Sequence, residues 1–230
     1  MAIYLGSTKI KELYLGGTKI KEAYLGSTLV YRASAYAPDE VVFESSTAGT
    51  YTLDLLETGR YEVTVVAGGG GAKNVRETPS YSKGSGASGS CFKGEIQITK
   101  GSLSIVVGAG GTKSSSRPIG NMVGGVSSIG DLVSCPSQKA YGTQSTWFAY
   151  QNNGAPTVTA TVYSTSINSA GNNGSIKMNS LVAHTGGKSV YDGTATGYGA
   201  GGSVGAQSSN TPNPFEDGVV GYVKIVYKSN

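Results

Sequence analysis

Ser80-Tyr81-Ser82-Lys83 carries the Ser-x-x-Lys spacing in which a lysine activates a serine nucleophile. That arrangement belongs at the start of a helix, and here it lies between Pro79 and Gly84, with no helical pattern around it. Gly68 to Lys73 follows a strand-like run, as a phosphate-binding loop would. Such a loop ends Gly-Lys-Ser/Thr and opens a helix, whereas this one reads Gly71-Ala72-Lys73-Asn74. His184 is the single histidine, which excludes a multi-histidine metal site, and Cys91 and Cys135 lack metal-ligand spacing. Glycan cleavage ordinarily uses two carboxylates across a cleft. From residue 79 onward the acids are Glu95, Asp131, Asp192, Glu216 and Asp217, scattered over turns and strands. No enzyme and no cofactor are expected.

The segment from Cys135 to Tyr163 is different. It is poor in glycine and holds Tyr141, Trp147, Phe148, Tyr150 and Tyr163. Aromatic side chains give rigid contact area and a face on which sugars or partners stack. Tyr141, Trp147, Phe148 and Tyr150 are therefore candidate ligand-binding residues. The competing reading places Trp147 and Phe148 in the core beneath a loop, and the sequence leaves both open.

The elements that must hold these residues are strands. The chain has 36 glycines in 230 residues and only 14% charged residues, against about 25% in ordinary domains. Its 15 tyrosines and many Val, Ile and Thr still predict a folded protein. Tyr51-Thr52-Leu53-Asp54-Leu55 alternates, as do Tyr61, Val63 and Val65 against Glu62 and Thr64. Leu56 to Arg60 reads as a hairpin loop between them. Lys100-Gly101 reads as a two-residue hairpin turn between Glu95–Thr99 and Ser102–Val107. Thr157 to Tyr163 reads as another alternating strand, and Gly221 to Lys228 as a closing one. No stretch of helical length has a 3.6-residue apolar period.

Glycine clusters lie between the strands, at 68–71, 84–89, 108–111, 120–125, 186–187 and 197–205. No three-residue period is sustained, which excludes collagen. Two readings remain: flexible linkers, or short polyproline-II segments packed through Cα–H···O contacts that only glycine allows.

The N-terminus holds a ten-residue repeat. Ile3-Tyr4-Leu5-Gly6-Ser7-Thr8-Lys9-Ile10-Lys11-Glu12 is followed by Leu13-Tyr14-Leu15-Gly16-Gly17-Thr18-Lys19-Ile20-Lys21-Glu22. A third copy, Ala23 to Arg32, has diverged. Each repeat predicts short strands and a glycine turn, a unit too small to bury a face alone. The expected organisation is a β-repeat over 1–32 for attachment or oligomerisation, a linker over 33–40, and a glycine-rich β domain over 41–230. The fold class read from the strand pattern is all-β.

The net charge of +4 is mild, and no basic run or basic helix face is present, so nucleic acid is not an expected partner. The N-terminal residues lack a basic n-region followed by an apolar stretch, so no signal peptide is expected. No run approaches 18 apolar residues, so no membrane insertion by a helix is expected. The two cysteines read as idle thiols in a protein made in a reducing cytosol.

Five signals in order carry a resemblance. Phe43-Glu44-Ser45-Ser46-Thr47-Ala48-Gly49-Thr50-Tyr51-Thr52-Leu53 leads to Gly59–Ala67 and the four-glycine run. Lys100–Gly111, Gly124–Leu132 and Asp217–Ile225 follow. This pattern resembles the glycine-rich domain of bacteriophage and prophage tail proteins, over about residues 41–230. The N-terminal repeats resemble segments of phage minor structural proteins. The resemblance implies an all-β, jelly-roll-like β-sandwich with glycine-rich loops at a tail tip, often trimeric, in a virion assembled in the bacterial cytoplasm. Between about 134 and 185 the expected glycine runs give way to aromatic and Ser/Asn-rich sequence, where specificity is expected. The function so implied is a tail-tip adhesin binding a host-surface carbohydrate or protein without cleaving it, joined to other tail proteins through residues 1–32. The alternatives are a purely structural tail or decoration protein, or a glycan depolymerase.

Overall fold

A computed structural model describes residues 4–5, 8–9, 14–32, 34–77, 80–84, 86–113, 123–136, 138–139, 151–152, 154–171, 181–183, 187–189, 197–202 and 217–229. Each ten-residue repeat folds as its own hairpin. β1 (Tyr4–Leu5) pairs with β2 (Thr8–Lys9), β3 (Tyr14–Leu15) with β4 (Thr18–Lys19), and β5 (Glu22–Leu25) with β6 (Thr28–Arg32). In the second hairpin Gly16 and Gly17 both have positive φ, 56° and 85°, the signature of a two-residue type I′ turn. Among the described residues no ladder joins one hairpin to the next or to the rest of the protein.

Ten strands build two antiparallel sheets. In chain order the strands are β7 (Val41–Ser45), β8 (Gly49–Leu55), β9 (Gly59–Val66), a hairpin of β10 (Lys73–Glu77) and β11 (Ser80–Gly84), then β12 (Cys91–Ile98) and β13 (Gly101–Val107). There follow β14 (Ser127–Ile129), β15 (Val133–Cys135), a small pair β16 (Gln138–Lys139) and β17 (Gln151–Asn152), β18 (Thr157–Val158) and β19 (Val162–Ser169). A second small pair, β20 (Leu181–Ala183) and β21 (Gly187–Ser189), precedes the closing β22 (Tyr222–Ser229). One sheet has the order β19-β12-β9-β22-β7, the other β18-β15-β14-β13-β8.

The period-2 alternation read in the sequence turns one face of each sheet inward. Tyr61, Val63 and Val65 of β9 meet Phe92, Ile96 and Ile98 of β12 and Val223, Ile225 and Tyr227 of β22. Opposite them lie Leu55, Ile105, Val107, Ile129, Val133 and Cys135. All are buried, each large apolar side chain contributing about 1.5–3 kcal/mol. The all-β class expected from the alternation and the sandwich implied by the resemblance are the observed architecture, and no helix occurs among the described residues.

Two expected hairpins are instead arches between sheets. β8 pairs with β13 and β9 with β12 and β22, so Leu56–Thr58 carries the chain from one sheet to the other. Likewise β12 and β13, on either side of Lys100, belong to different sheets. Both arches join strands of the same inward alternation, so local sequence reads the same for a turn within a sheet or across two. Tertiary partners decide it: the Leu56 amide donates to the Tyr36 hydroxyl at 2.9 Å, and the Lys100 amide to Thr58 Oγ1 at 2.9 Å. The alternating run from Thr157 to Tyr163 is also divided, because the chain leaves β18 in one sheet and enters β19 in the other.

The arches lie at one end of the sandwich, and residues 34–40 are fastened there. Glu57 Oε2 accepts from Ser34 Oγ and from the Ala35 amide, both at 2.6 Å. Tyr36 packs its ring on Tyr227, centroids 5.5 Å apart, and Tyr227 packs on Tyr61 at 5.3 Å. The Asp39 amide donates to the Tyr227 carbonyl, and the Tyr227 amide to the Glu40 carbonyl. Lys228 pairs with the Asp39 carboxylate. The stretch expected as a linker is thus bonded to the sandwich at its base along most of its length.

Cys91 and Cys135 are buried thiols, and no disulfide joins them. Cys135 belongs to the core, where its Sγ donates to the Val65 carbonyl at 3.2 Å. Cys91 precedes Phe92, whose ring is in the core, so alternation turns Cys91 toward the other face of its sheet.

Candidate functional site

At the end opposite the arches, β9 runs into Ala67-Gly68-Gly69-Gly70-Gly71-Ala72, all buried. The amides of this segment point in turn to different neighbours. Ala67 donates to Ser90, Gly68 to Gly125, Gly69 to Val219 and Gly70 to Ala87, at 2.9 to 3.0 Å. After three residues the direction has returned to the same segment, 86–90. That is the three-residue screw of a polyproline-II helix. The Gly69 carbonyl accepts from Gly111 and the Gly70 carbonyl from Gly202, both at 2.8 Å. Residues 67–72 are thus the axis of a bundle, with 86–90, 108–113, 123–126, 197–202 and 217–221 around it.

The registers give the directions. Ala67 bonds Ser90 while Gly70 bonds Ala87, so 86–90 runs against the axis. Gly68 faces Ala109 and Gly71 faces Thr112, so 108–113 runs along it. A β-carbon on Gly69 would stand 2.0 Å from the Ala200 carbonyl oxygen, and one on Gly71 2.2 Å from that of Thr112. With a bond of about 1.5 Å from Cα, the glycine hydrogen pointing there makes a Cα–H···O contact within the usual range of about 3.3–3.6 Å. Glycine is required by distance at these positions, since neither has positive φ. Among the described residues the glycine segments at 68–71, 86–89, 108–111, 124–125 and 199–202 are packed backbone, not flexible linkers.

The outer end of the bundle is formed by Gly71, Gly86, Thr112, Gly202 and Gly218. The Gly86 amide donates to Gly202 at 2.8 Å, the Gly218 amide to Gly111 at 2.8 Å, and the Lys113 amide to Asp217 Oδ1 at 2.7 Å. The chain leaves and re-enters at this end three times, through 73–85, 114–122 and 203–216. The hairpin of β10 and β11 belongs to the first of these. Eight residues of β9 span about 26 Å, and six of the axis about 19 Å. Base and apex are therefore separated by about 45 Å.

The tempting motifs take different roles. Gly68, Gly69 and Gly70 cannot cradle a phosphate, because their amides are already bonded to carbonyls. Ser80–Lys83 lies on β11, with Ser82 opposite Val75 and Lys83 opposite Asn74, not at a helix start. Tyr141, Trp147, Phe148 and Tyr150 lie outside the described residues, as does His184. No group of His, Cys, Asp and Glu that could hold a metal occurs among the described residues. No helix among them is long and apolar enough to cross a membrane.

Sequence reading missed a second aromatic feature. Tyr198 stacks on Tyr222, centroids 4.4 Å apart and planes within 6°. The Tyr222 hydroxyl donates to Glu44 Oε1 at 2.6 Å, and Lys224 pairs with Glu44 at 3.3 Å. The Tyr222 hydroxyl holds the Glu44 carboxyl below its ordinary value of 4.5, with help from Lys224. Burial, then the Glu44 charge, pushes the Tyr222 phenol well up. Tyr198 and Tyr222 are 24 residues apart, and nothing local in the sequence pairs them.

The class of fold is an all-β sandwich of two five-stranded antiparallel sheets whose strands continue into glycine segments packed backbone to backbone. The chain belongs to the glycine-rich domain family, whose model matches residues 45–228. No curated protein matches the chain.

Proposed function

We propose that the protein is a bacteriophage or prophage tail-tip adhesin that holds a host-surface carbohydrate or protein without cleaving it. The observation that carries this reading is the polarity of the molecule. The N-terminal repeats join it at the base through a bonded segment, and three connections leave and return at the apex, about 45 Å away. A close-packed bundle suits the task, since it holds connecting chain on a rigid mount without needing apolar side chains at the tip. Tyr141, Trp147, Phe148 and Tyr150, which belong to the stretch between Pro136 and Gly154 and not to the three apex connections, are the candidate contacts, and the repeats attach to neighbouring tail proteins. Modest affinity at one site suffices when several copies act together.

The test is binding of the purified chain, coupled to beads to give many copies, to candidate host cells. Retention on cells, with Trp147→Ala reducing it while the melting temperature stays unchanged, supports the adhesin. No retention on any host that the parent phage infects overturns it and leaves a purely structural virion role. Release of reducing sugar ends overturns binding without cleavage.

A further inference from the structure

Tyr222 and Lys224 alternate with the core residues Val223 and Ile225, so both stand on the outer face of their sheet. Glu44 joins them there, because β7 pairs with β22 in the register that sets Glu44 opposite Lys224. Tyr222 also pairs with Val66, the last residue of β9, so the group sits where the sandwich meets the glycine bundle. Tyr198 reaches it from a tight turn between Gly197 and Gly199, whose φ values of 83° and 66° favour glycine. Backbone bonds hold this turn: the Gly199 amide donates to the Val220 carbonyl, and the Gly199 carbonyl accepts from the Gly89 amide, both at 2.8 Å. Tyr222 covers one face of the Tyr198 ring, yet Tyr198 keeps 40% of its surface exposed.

We propose that Tyr198, with Glu44 and Lys224 beside the stack, binds an uncharged pyranose sugar whose C–H face lies on the exposed side of the Tyr198 ring. An aromatic face is electron-rich and attracts the weakly positive hydrogens of such a sugar. The neighbouring groups suit its hydroxyls. Tyr222 donates to Oε1 of Glu44, and Lys224 pairs with Oε2. Each carboxylate oxygen accepts more than one hydrogen bond, and an ammonium has three donors. Glu44 therefore accepts from one sugar hydroxyl while Lys224 donates to another. Tyr222 and Lys224 fix the carboxylate in advance, which lowers the ordering cost of binding. The Tyr198 phenol acts electrostatically on that of Tyr222, so the hydroxyl ends of the two stacked rings lie near one another.

Size and charge select this occupant. A stable protein partner needs about 800 Å² on each side, whereas one tyrosine ring flanked by two polar side chains matches a single sugar ring. Glu44 and Lys224 neutralise each other, so an acidic sugar gains nothing there, and salt changes the binding little. The site deepens the adhesin reading and rests on it for the source of the sugar. It does not share residues with the aromatic contacts proposed above.

The test is saturation-transfer NMR on the full chain, with no cells present. The probes are the methyl glycosides of glucose, galactose, mannose and N-acetylglucosamine, with glucuronic acid as the charged control. At least one neutral glycoside should receive saturation at its ring C–H protons and shift the Tyr198 ring signals, equally at low and high salt. Tyr198→Ala should weaken that binding about tenfold or more. Tyr198→Phe, which keeps the ring, should bind nearly as the parent does, and Glu44→Gln should bind more weakly. The Tyr198 ring shifts report contact in the parent chain, so the outcome stands even if Tyr198→Ala fails to fold. No transfer to any neutral glycoside, transfer without a Tyr198 shift, binding that survives Tyr198→Ala, or a preference for glucuronic acid that salt abolishes overturns the proposal. Trp147→Ala should leave glycoside binding unchanged. Beads that hold no cells while glycosides bind at Tyr198 defeat the adhesin reading alone. Beads that hold cells while no glycoside touches Tyr198 defeat this proposal alone.

Discussion

The carbonyl oxygen of Gly70 stands 1.8 Å from the point that a β-carbon on Gly86 would occupy. The same two segments are bonded by the Gly70 amide to Ala87 at 2.9 Å. Each backbone thus fills the space that a side chain would need on the other. The bundle has backbone in place of an apolar core, and its stability comes from hydrogen bonds and close contact.

Gly86→Ala should therefore destabilise the protein by about 1–3 kcal/mol or more, since the added carbon meets backbone that cannot yield like a flexible side chain. In a chain of this length each kcal/mol lowers Tm by about 2–4 °C. Gly69→Ala, at 2.0 Å from the Ala200 oxygen, should act in the same way. Thermal unfolding checks both. An unchanged Tm for either variant would contradict close packing there.

The strands were legible because period-2 alternation is local. Tyr61, Val63 and Val65 could face nothing but a core, and the closing Tyr222–Ser229 likewise. The arches were not legible. Whether Leu56–Thr58 turns back or crosses depends on the Tyr36 hydroxyl, 20 residues away in sequence. The glycine clusters showed their positions but not their partners, because Gly69 bonds Val219 and the contact spans 150 residues. Of the site, the glycine mount was visible as composition, while the Tyr198–Tyr222 stack had no local signal.

Glu57 anchors the entry segment, accepting from Ser34 and the Ala35 amide. Hydrogen bonds to a charged group contribute about 1.5–3 kcal/mol each when buried, and less here because Glu57 is half-buried. Glu57→Ala should free residues 34–40 and leave the sandwich folded. Limited proteolysis should then cut the variant in this stretch well before the parent chain. Equal cutting rates would show that the Tyr36 and Asp39 contacts hold the segment without Glu57.

The Glu44 carboxyl, stabilised as the anion first by Tyr222 and then by Lys224, should titrate below 4.5. A depressed folded value means that its contribution to stability is complete above the ordinary carboxylate range. That contribution is lost as pH falls through the depressed value. Tyr222→Phe should move the Glu44 midpoint back up toward 4.5, read by side-chain carboxyl NMR. A midpoint that does not move would remove the hydroxyl as its cause.

Burial, the dominant cause, pushes the Cys135 thiol well above its ordinary 9.0, and the nearby Cys91 adds to the rise. A raised value keeps the thiol protonated and unreactive. Its contribution to stability is complete below pH 9 and is lost as pH climbs beyond, because the unfolded thiol ionises first. At pH 8 an aromatic disulfide reagent should label neither cysteine in the native protein and both after denaturation. The native labelling rate should match the rate or extent of global unfolding, since both thiols are only about 1% exposed or less. Mild oxidation should leave the mass of each chain and its two thiols unchanged, as Cys135 of β15 faces the core while Cys91 of β12, in the other sheet, is turned away from it. Rapid native labelling, or a Cys91–Cys135 cross-link formed without unfolding, would contradict that placement.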